Sequence, residues 1–293
     1  MKHIKILFVL LFSVAALGAY AGESSAAKQE VGEQNISLFQ AIGENNLAEV
    51  QRLIKAGTDI DAKDADGRTA LIFACATERN KIAKWLIKND ADVDARTDEG
   101  VTPIYLSGVL GHGDVVKLLV KHGADINVHT DSGETPLLRA VWQQDYKAVK
   151  TLLKNGAGPD VGTDYDGWTP LIFASSFGNI KIAKLLIKYG ADVNADPDTM
   201  TPLFMALTHD KTQKVAPLLI NKGADVNAKI GEEMPILTVA IHMEQPEVVK
   251  LMIKKGADVN AKDDEGKTPL SHAIINKASP EIIEILKAAG AHE

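Results

Sequence analysis

The chain has 293 residues, of which 45% are hydrophobic and 24% charged, and it carries a formal net charge of −7. That balance argues against bulk affinity for nucleic acid or anionic membranes, both of which need a net positive surface. A single cysteine, Cys75, leaves no partner for an internal disulfide, so packing alone must hold the fold.

In chain order, the first feature is a basic start at Lys2, His3 and Lys5, followed by an apolar run from Ile6 to Leu17 and small residues at Ala19 and Ala21. This three-part pattern predicts a signal peptide over residues 1–21 with cleavage before Gly22. The run is shorter than the roughly 20 apolar residues a spanning helix needs, so no stable membrane insertion is expected. The leader has a bacterial appearance. Export to the periplasm is therefore the expected outcome, with full secretion the second. Residues 22–34, "GESSAAKQEVGEQ", are polar and small and read as a disordered spacer.

From residue 35 to 293 one phrase recurs. A Thr-Pro step stands at Thr102-Pro103, Thr135-Pro136, Thr169-Pro170, Thr201-Pro202 and Thr268-Pro269, with weakened forms at Thr69-Ala70 and Met234-Pro235. A helix-stop slot recurs in step at Gly57, Asp90, Gly123, Gly156, Gly190, Gly223, Gly256 and Gly290. Each unit has a mechanical reading. Thr caps a short first helix and Pro occupies its first position, where no N–H is needed. A small residue such as Ala74, Ser107, Ala140 or Ala174 faces the neighbouring unit. A second helix with apolar residues at helical spacing, as in "IAKWLI", follows the turn. The glycine stops that helix in a left-handed cap. An extended return with an Asp-x-x-Gly turn then leads to the next Thr.

The unit resembles the ankyrin repeat, a turn plus two helices starting T-P-L-H-x-A at a period of 33 residues. Eight repeats fit, at approximately 35–63, 64–96, 97–129, 130–162, 163–195, 196–228, 229–261 and 262–293. The resemblance implies an all-α solenoid of helix-turn-helix units with projecting hairpin tips, whose usual activity is protein binding rather than catalysis. The histidine of the family's motif is absent: its slot holds Ile72, Tyr105, Leu138, Ile172, Phe204, Leu237 and Ser271, so apolar packing must replace its hydrogen bonds. Glu49 and Arg52 in the first repeat and Lys287 in the last stand where inner repeats are apolar, as terminal repeats require. The array is expected to be complete and monomeric. Pro217 falls about one turn inside an expected second helix, which predicts that this helix starts late or kinks.

No catalytic motif is present. His112, His122, His129, His209, His242 and His272 lack metal-ligand spacing, Cys75 reads as a packing residue, and neither a cofactor nor a metal is expected. Function is then expected on the slots that the fold leaves free, namely the tips and the ends of the first helices. These slots hold Val109 and Leu110 in the third repeat, Trp142 and Gln143 in the fourth, and Phe177 in the fifth. The tip "GAGPDVGTDYDGW", one residue longer than its counterparts, brings Tyr165, Asp166 and Trp168. Aromatics are only 5% of the chain, so four of them at these slots read as anchors for a protein partner. The alternative is that they only pack on neighbouring tips. The tips are also acidic (Asp98, Glu99, Asp131, Glu134, Asp164, Glu232, Glu233), whereas the second helices are rich in Lys. The reading is an exported accessory or scaffold protein for an envelope complex. An immunity- or effector-type protein that captures a foreign or host target is the alternative, and the lack of any clustered acid, base or nucleophile disfavours an enzyme.

Overall fold

The structure, a computed structural model, describes residues 33–197, 199–209, 214–231 and 234–293, with side chains from Ser37 onward. The expected leader at 1–21, residues 22–32 of the expected spacer, and the tip residues Glu232 and Glu233 lie outside the described residues. Two compact bodies divide the chain, Met1–Asp125 and Ile126–Glu293. The described residues form sixteen helices and one two-stranded ladder.

The first body carries the first three repeats as helix pairs: α1 (Glu33–Gly43) with α2 (Leu47–Lys55), α3 (Ala70–Ala76) with α4 (Asn80–Lys88), and α5 (Pro103–Val109) with α6 (Gly113–Lys121). Helix α1 begins at Glu33, so the last two residues of the segment read as spacer are helical. First helices stack on first helices (α1 on α3, α3 on α5) and second on second (α2 on α4, α4 on α6).

The second body repeats the arrangement five times. Its pairs are α7 (Pro136–Trp142) with α8 (Tyr146–Lys154), α9 (Pro170–Ser176) with α10 (Ile180–Lys188), α11 (Pro202–His209) with α12 (Val215–Asn221), α13 (Ile236–His242) with α14 (Pro246–Lys254), and α15 (Pro269–Ile275) with α16 (Pro280–Ala288). The same first-on-first and second-on-second stacking runs from α7 to α16. The ladder pairs β1 (Lys229–Ile230) with β2 (Met234–Pro235) in antiparallel register at one tip.

Local chemistry explains why the sequence repeats. The hydroxyls of Thr69, Thr102, Thr135, Thr169, Thr201 and Thr268 each accept the backbone N–H three residues on, at 3.2–3.5 Å. Each supplies a partner to one of the free donors at a helix start. The small residue of the first helix is fully buried in every repeat that has the slot, from Ala74 through Ser107, Ala140, Ala174, Ala206 and Ala240 to Ala273. Any larger side chain there would hold adjacent helices apart. The histidine-slot residues Ile72, Leu138, Ile172 and Leu237 are buried in the core, so apolar packing does stand in for the missing hydrogen bonds. The helix-stop slot has positive φ throughout, 102° at Gly57 and 86° at Gly290, and Asp90 occupies it at 65°.

Helix α12 starts late, as Pro217 requires. It is seven residues long where α10 and α14 have nine, and Val215 is its first residue. Pro217 is therefore third in the helix, where its missing N–H would have had no helical acceptor.

The phrase "ADVNA" links neighbouring repeats as well as returning the chain. In the second body the Asn194 amide donates to the Gly223 carbonyl (3.1 Å), while its oxygen accepts the Asp225 N–H (2.8 Å). Asn227 does the same with Gly256 and Asp258, and Asn260 with Gly290 and His292. Each asparagine side chain thus closes a polar joint to the following repeat at its helix-stop glycine.

Candidate functional site

The fifth repeat's tip is built by its own short side chains. The Thr163 hydroxyl donates to the Asp166 carboxylate, and the Trp168 N–H reaches both Thr163 Oγ1 (3.1 Å) and Asp166 Oδ1 (3.2 Å). Thr163 N–H donates to the Trp168 carbonyl at 3.2 Å, which closes the turn. Gly162 is required here, because an added Cβ would stand 2.5 Å from the Gly167 carbonyl oxygen. Asp166 ties this network together through Oδ1 and is half-buried, so it shapes the tip.

The tip is also tied to the preceding one within the same body. Tyr165 lays its ring over Gly133, where a Cβ would meet the ring at 2.9 Å, and its hydroxyl donates to the Asp131 carbonyl at 3.1 Å. His129 Nε2 lies 3.3 Å from the Asp164 carboxylate and 3.2 Å from the Gly162 carbonyl. Tyr165 nevertheless remains 79% exposed, the most open large apolar side chain among the described residues.

Behind the tip the aromatic rings form a chain. Trp168 sits 5.3 Å from Phe173, Phe173 sits 5.8 Å from Trp142 nearly edge-on, and Trp142 sits 5.3 Å from Phe177, also edge-on. Such pairs contribute about 0.5–1.5 kcal/mol each beyond the area they bury. Phe173 is buried, whereas Trp142, Trp168 and Phe177 are half-buried and keep part of each ring on the surface. Gln143, half-buried, caps α7 directly after Trp142. Sequence reasoning missed Phe173, which fills an ordinary first-helix position. The signal was the triplet Trp142, Phe173 and Phe177, one first-helix face apart.

Two expected residues lie in the other body. Val109, at the end of α5, is only 4% exposed. It is a core residue, because α5 turns that side inward against its helix neighbours, and its assignment as a partner contact is corrected. Leu110 caps α5 and is half-buried. The acidic tips also need a correction at Glu134. It is buried beside Arg139, with the charged groups 3.7 Å apart, and so belongs to an internal ion pair. Asp98, Glu99, Asp131 and Asp164 are exposed, as are Lys81, Lys117, Lys181 and Lys254 on the second helices.

Elsewhere, exposed large apolar side chains stand at Met243, Ile274 and Ile275, close to the ends of α13 and α15. Their isolated aliphatic character gave no signal in the sequence, unlike the aromatic residues of the fourth and fifth repeats. Cys75 is fully buried, and burial pushes its thiol up to about 12, which makes it an inert packing group. Among the described residues, no His, Cys, Asp and Glu side chains are grouped to hold a metal ion, and no helix is long and apolar enough to cross a membrane.

The model of a family described as ankyrin repeats, three copies, matches residues 38–130, 92–163, 137–230 and 229–292. The chain belongs to the ankyrin repeat family. The solved structures include the human ASB11 ankyrin repeat domain, which is 21% identical, with 87% of this chain and 98% of that chain covered at a TM-score of 0.54. At that identity the likeness shows the fold alone. No curated protein matches the chain. An ankyrin array is a protein–protein interaction module, and the aromatic row on the fourth and fifth repeats is one part of this array that packing leaves partly uncovered.

Proposed function

We propose that this ankyrin-repeat chain is exported and holds a partner protein on the surface formed by Trp142, Gln143, Tyr165, Trp168 and Phe177, as an accessory to an envelope complex. The observation that carries the reading is the row Trp168–Phe173–Trp142–Phe177, whose rings pack on one another while three of them stay half open to solvent. Rigid aromatic rings give a partner large apolar area at little cost in side-chain entropy, which is why Trp and Tyr dominate binding hot spots. Tyr165 extends that surface to the tip. The N-terminal pattern up to Ala21 supports export.

Affinity capture from an envelope extract tests the surface. Tyr165→Ala and Trp168→Ala should each weaken capture by about 2 kcal/mol, roughly a thirtyfold loss. A Lys181→Ala control on the opposite helix layer should bind like the wild type. Equal capture by all three variants would remove this surface from consideration. Export is tested separately by fractionation and N-terminal mass analysis, for which the expected product is a periplasmic chain starting at Gly22.

A further inference from the structure

A second cluster, in the last two repeats, is unrelated to the aromatic row. His272 on α15 places Nε2 2.7 Å from the Asp263 carboxylate, and both side chains are largely buried. The His242 ring, at the end of α13, meets the His272 ring edge-on with centroids 5.5 Å apart. Asn276, just after α15, brings Nδ2 within 2.8 Å of His242 Nε2 and within 3.0 Å of the His272 carbonyl. Four side chains thus run in a line from the eighth repeat's tip to the seventh repeat's helix end and back.

The hydrogen-bond directions decide what a proton would do. An amide nitrogen only donates and a carbonyl oxygen only accepts. Asn276 cannot exchange its nitrogen and oxygen without setting its oxygen against the His272 carbonyl. His242 Nε2 must therefore accept, so His242 is held neutral with its proton on Nδ1. Protonation puts a hydrogen on Nε2, facing the Asn276 donor. It also sets a cation edge-on to His272, the ring already drawn toward the Asp263 charge.

Among the described residues no carboxylate bonds to His242, and those of the cluster and its cavity, Asp263 and Glu244, are already bonded to other partners. Glu244, on the adjacent turn, uses both carboxylate oxygens on the Ser279 N–H of the eighth repeat at 3.1 and 3.3 Å. Lys250 of α14 binds Glu247 and Glu281, and His209 of α11 bonds to the Thr208 hydroxyl. A cavity of about 130 Å³ adjoins the ring, lined by Ile241, His242, Glu244, Asn276 and Ala278. Burial first, and the His272 charge second, hold His242 below the ordinary histidine range. Burial pushes the Asp263 carboxyl up, but the hydrogen bonds from His272 and the Lys267 N–H, with the His272 charge, together hold it below the usual carboxylate range.

We propose that the Asp263–His272–His242–Asn276 line is an acid-sensitive latch that secures the eighth repeat to the seventh and loosens when His242 takes up a proton. The sign is fixed by linkage. A histidine that binds its proton less readily when folded makes the unfolded state the better proton acceptor, so stability is present above the unfolded value and falls as pH drops through it. The loss is local, because the latch joins only α13 and α15. Loosening α15 and α16 would also free the exposed Met243, Ile274 and Ile275 surface from its present arrangement.

Amide hydrogen exchange of the full chain, expressed as protection factors, tests the latch between about pH 8 and about pH 5, the range in which histidines titrate. In the wild type, α15 and α16 should lose several-fold more protection on acidification than α9 to α12. His242→Gln keeps an acceptor for Asn276 but cannot titrate, and its α15 and α16 should stay protected. Asn276→Asp gives up the bond to the His272 carbonyl but supplies an acceptor for protonated His242, so its α15 and α16 should start less protected near pH 8 and hold or gain protection as pH falls. The proposal is overturned if the wild type shows no selective loss, or if His242→Gln loses as much protection as the wild type. It is also overturned if Asn276→Asp is the most acid-labile of the three.

Discussion

Gln144 and Glu244 occupy the same slot, the turn between first and second helices, and both adopt left-handed backbone at φ of 55° and 51°. For a residue with a Cβ that conformation costs roughly 1–2 kcal/mol, part of which glycine recovers. Gln144 makes only a 3.4 Å contact to Asn179, so Gln144→Gly should stabilise the protein by about 0.5 kcal/mol in urea unfolding. Glu244→Gly forfeits the Ser279 anchor and should be neutral or destabilising in the same measurement. Cys75 gives a test with a defined sign. Its thiol is pushed up to about 12 when folded, from 9.0. Stability should therefore be intact below about pH 9, where both states keep the proton, and fall as pH rises toward 12. A thiol reagent should label it only at the rate at which the repeat opens. At this scale the sequence was partly legible. Its slots told which positions are free in a typical repeat, but not that Val109 turns inward or that Glu134 lies against Arg139, since both depend on how one particular helix seats on its neighbours.

Helix α12 shows an element adjusting its length to a residue it cannot accommodate. Starting at Val215 moves Pro217 into the first turn, where the cost of about 3 kcal/mol for an interior proline does not apply. Pro217→Ala should consequently change stability by less than about 0.5 kcal/mol in urea denaturation, whereas a proline at Leu219, in the α12 interior, should cost about 3 kcal/mol or more. The joints between elements carry more. Asn227 holds two bonds to the next repeat, and Asn227→Ala should cost about 1–2 kcal/mol, read from the same unfolding curve. The Thr-Pro step and the helix-stop glycine made the elements legible, because each acts within five or six residues and both recur once per unit. The asparagine joints were not read in advance: both of their partners lie about one full period away, and a single unit gives no hint of them.

Within each body the main helix contacts among the described residues run between sequence-neighbouring repeats, so stability accrues interface by interface. Removing the eighth repeat from residue 262 onward should uncover the apolar sides of α13 and α14. The expected result is a lower unfolding midpoint and new binding of a hydrophobic dye, both beyond what deleting an exposed tail would produce. The candidate surface was legible as a place, the fourth and fifth repeats, though not as an arrangement. Tyr165 and Trp168 announced themselves by breaking the phrase, while the ring order needed Phe173, which looks like any core residue. The asparagine joints have one last consequence. In every joint the earlier repeat contributes a side chain and the later one contributes only backbone, at Gly223, Gly256 and Gly290 alike. This stretch of the array therefore has a direction, and a duplicated copy inserted among the repeats that carry the joint arrives with both of its ends already compatible. Such a protein can lengthen by copying itself, without any new contact having to be invented.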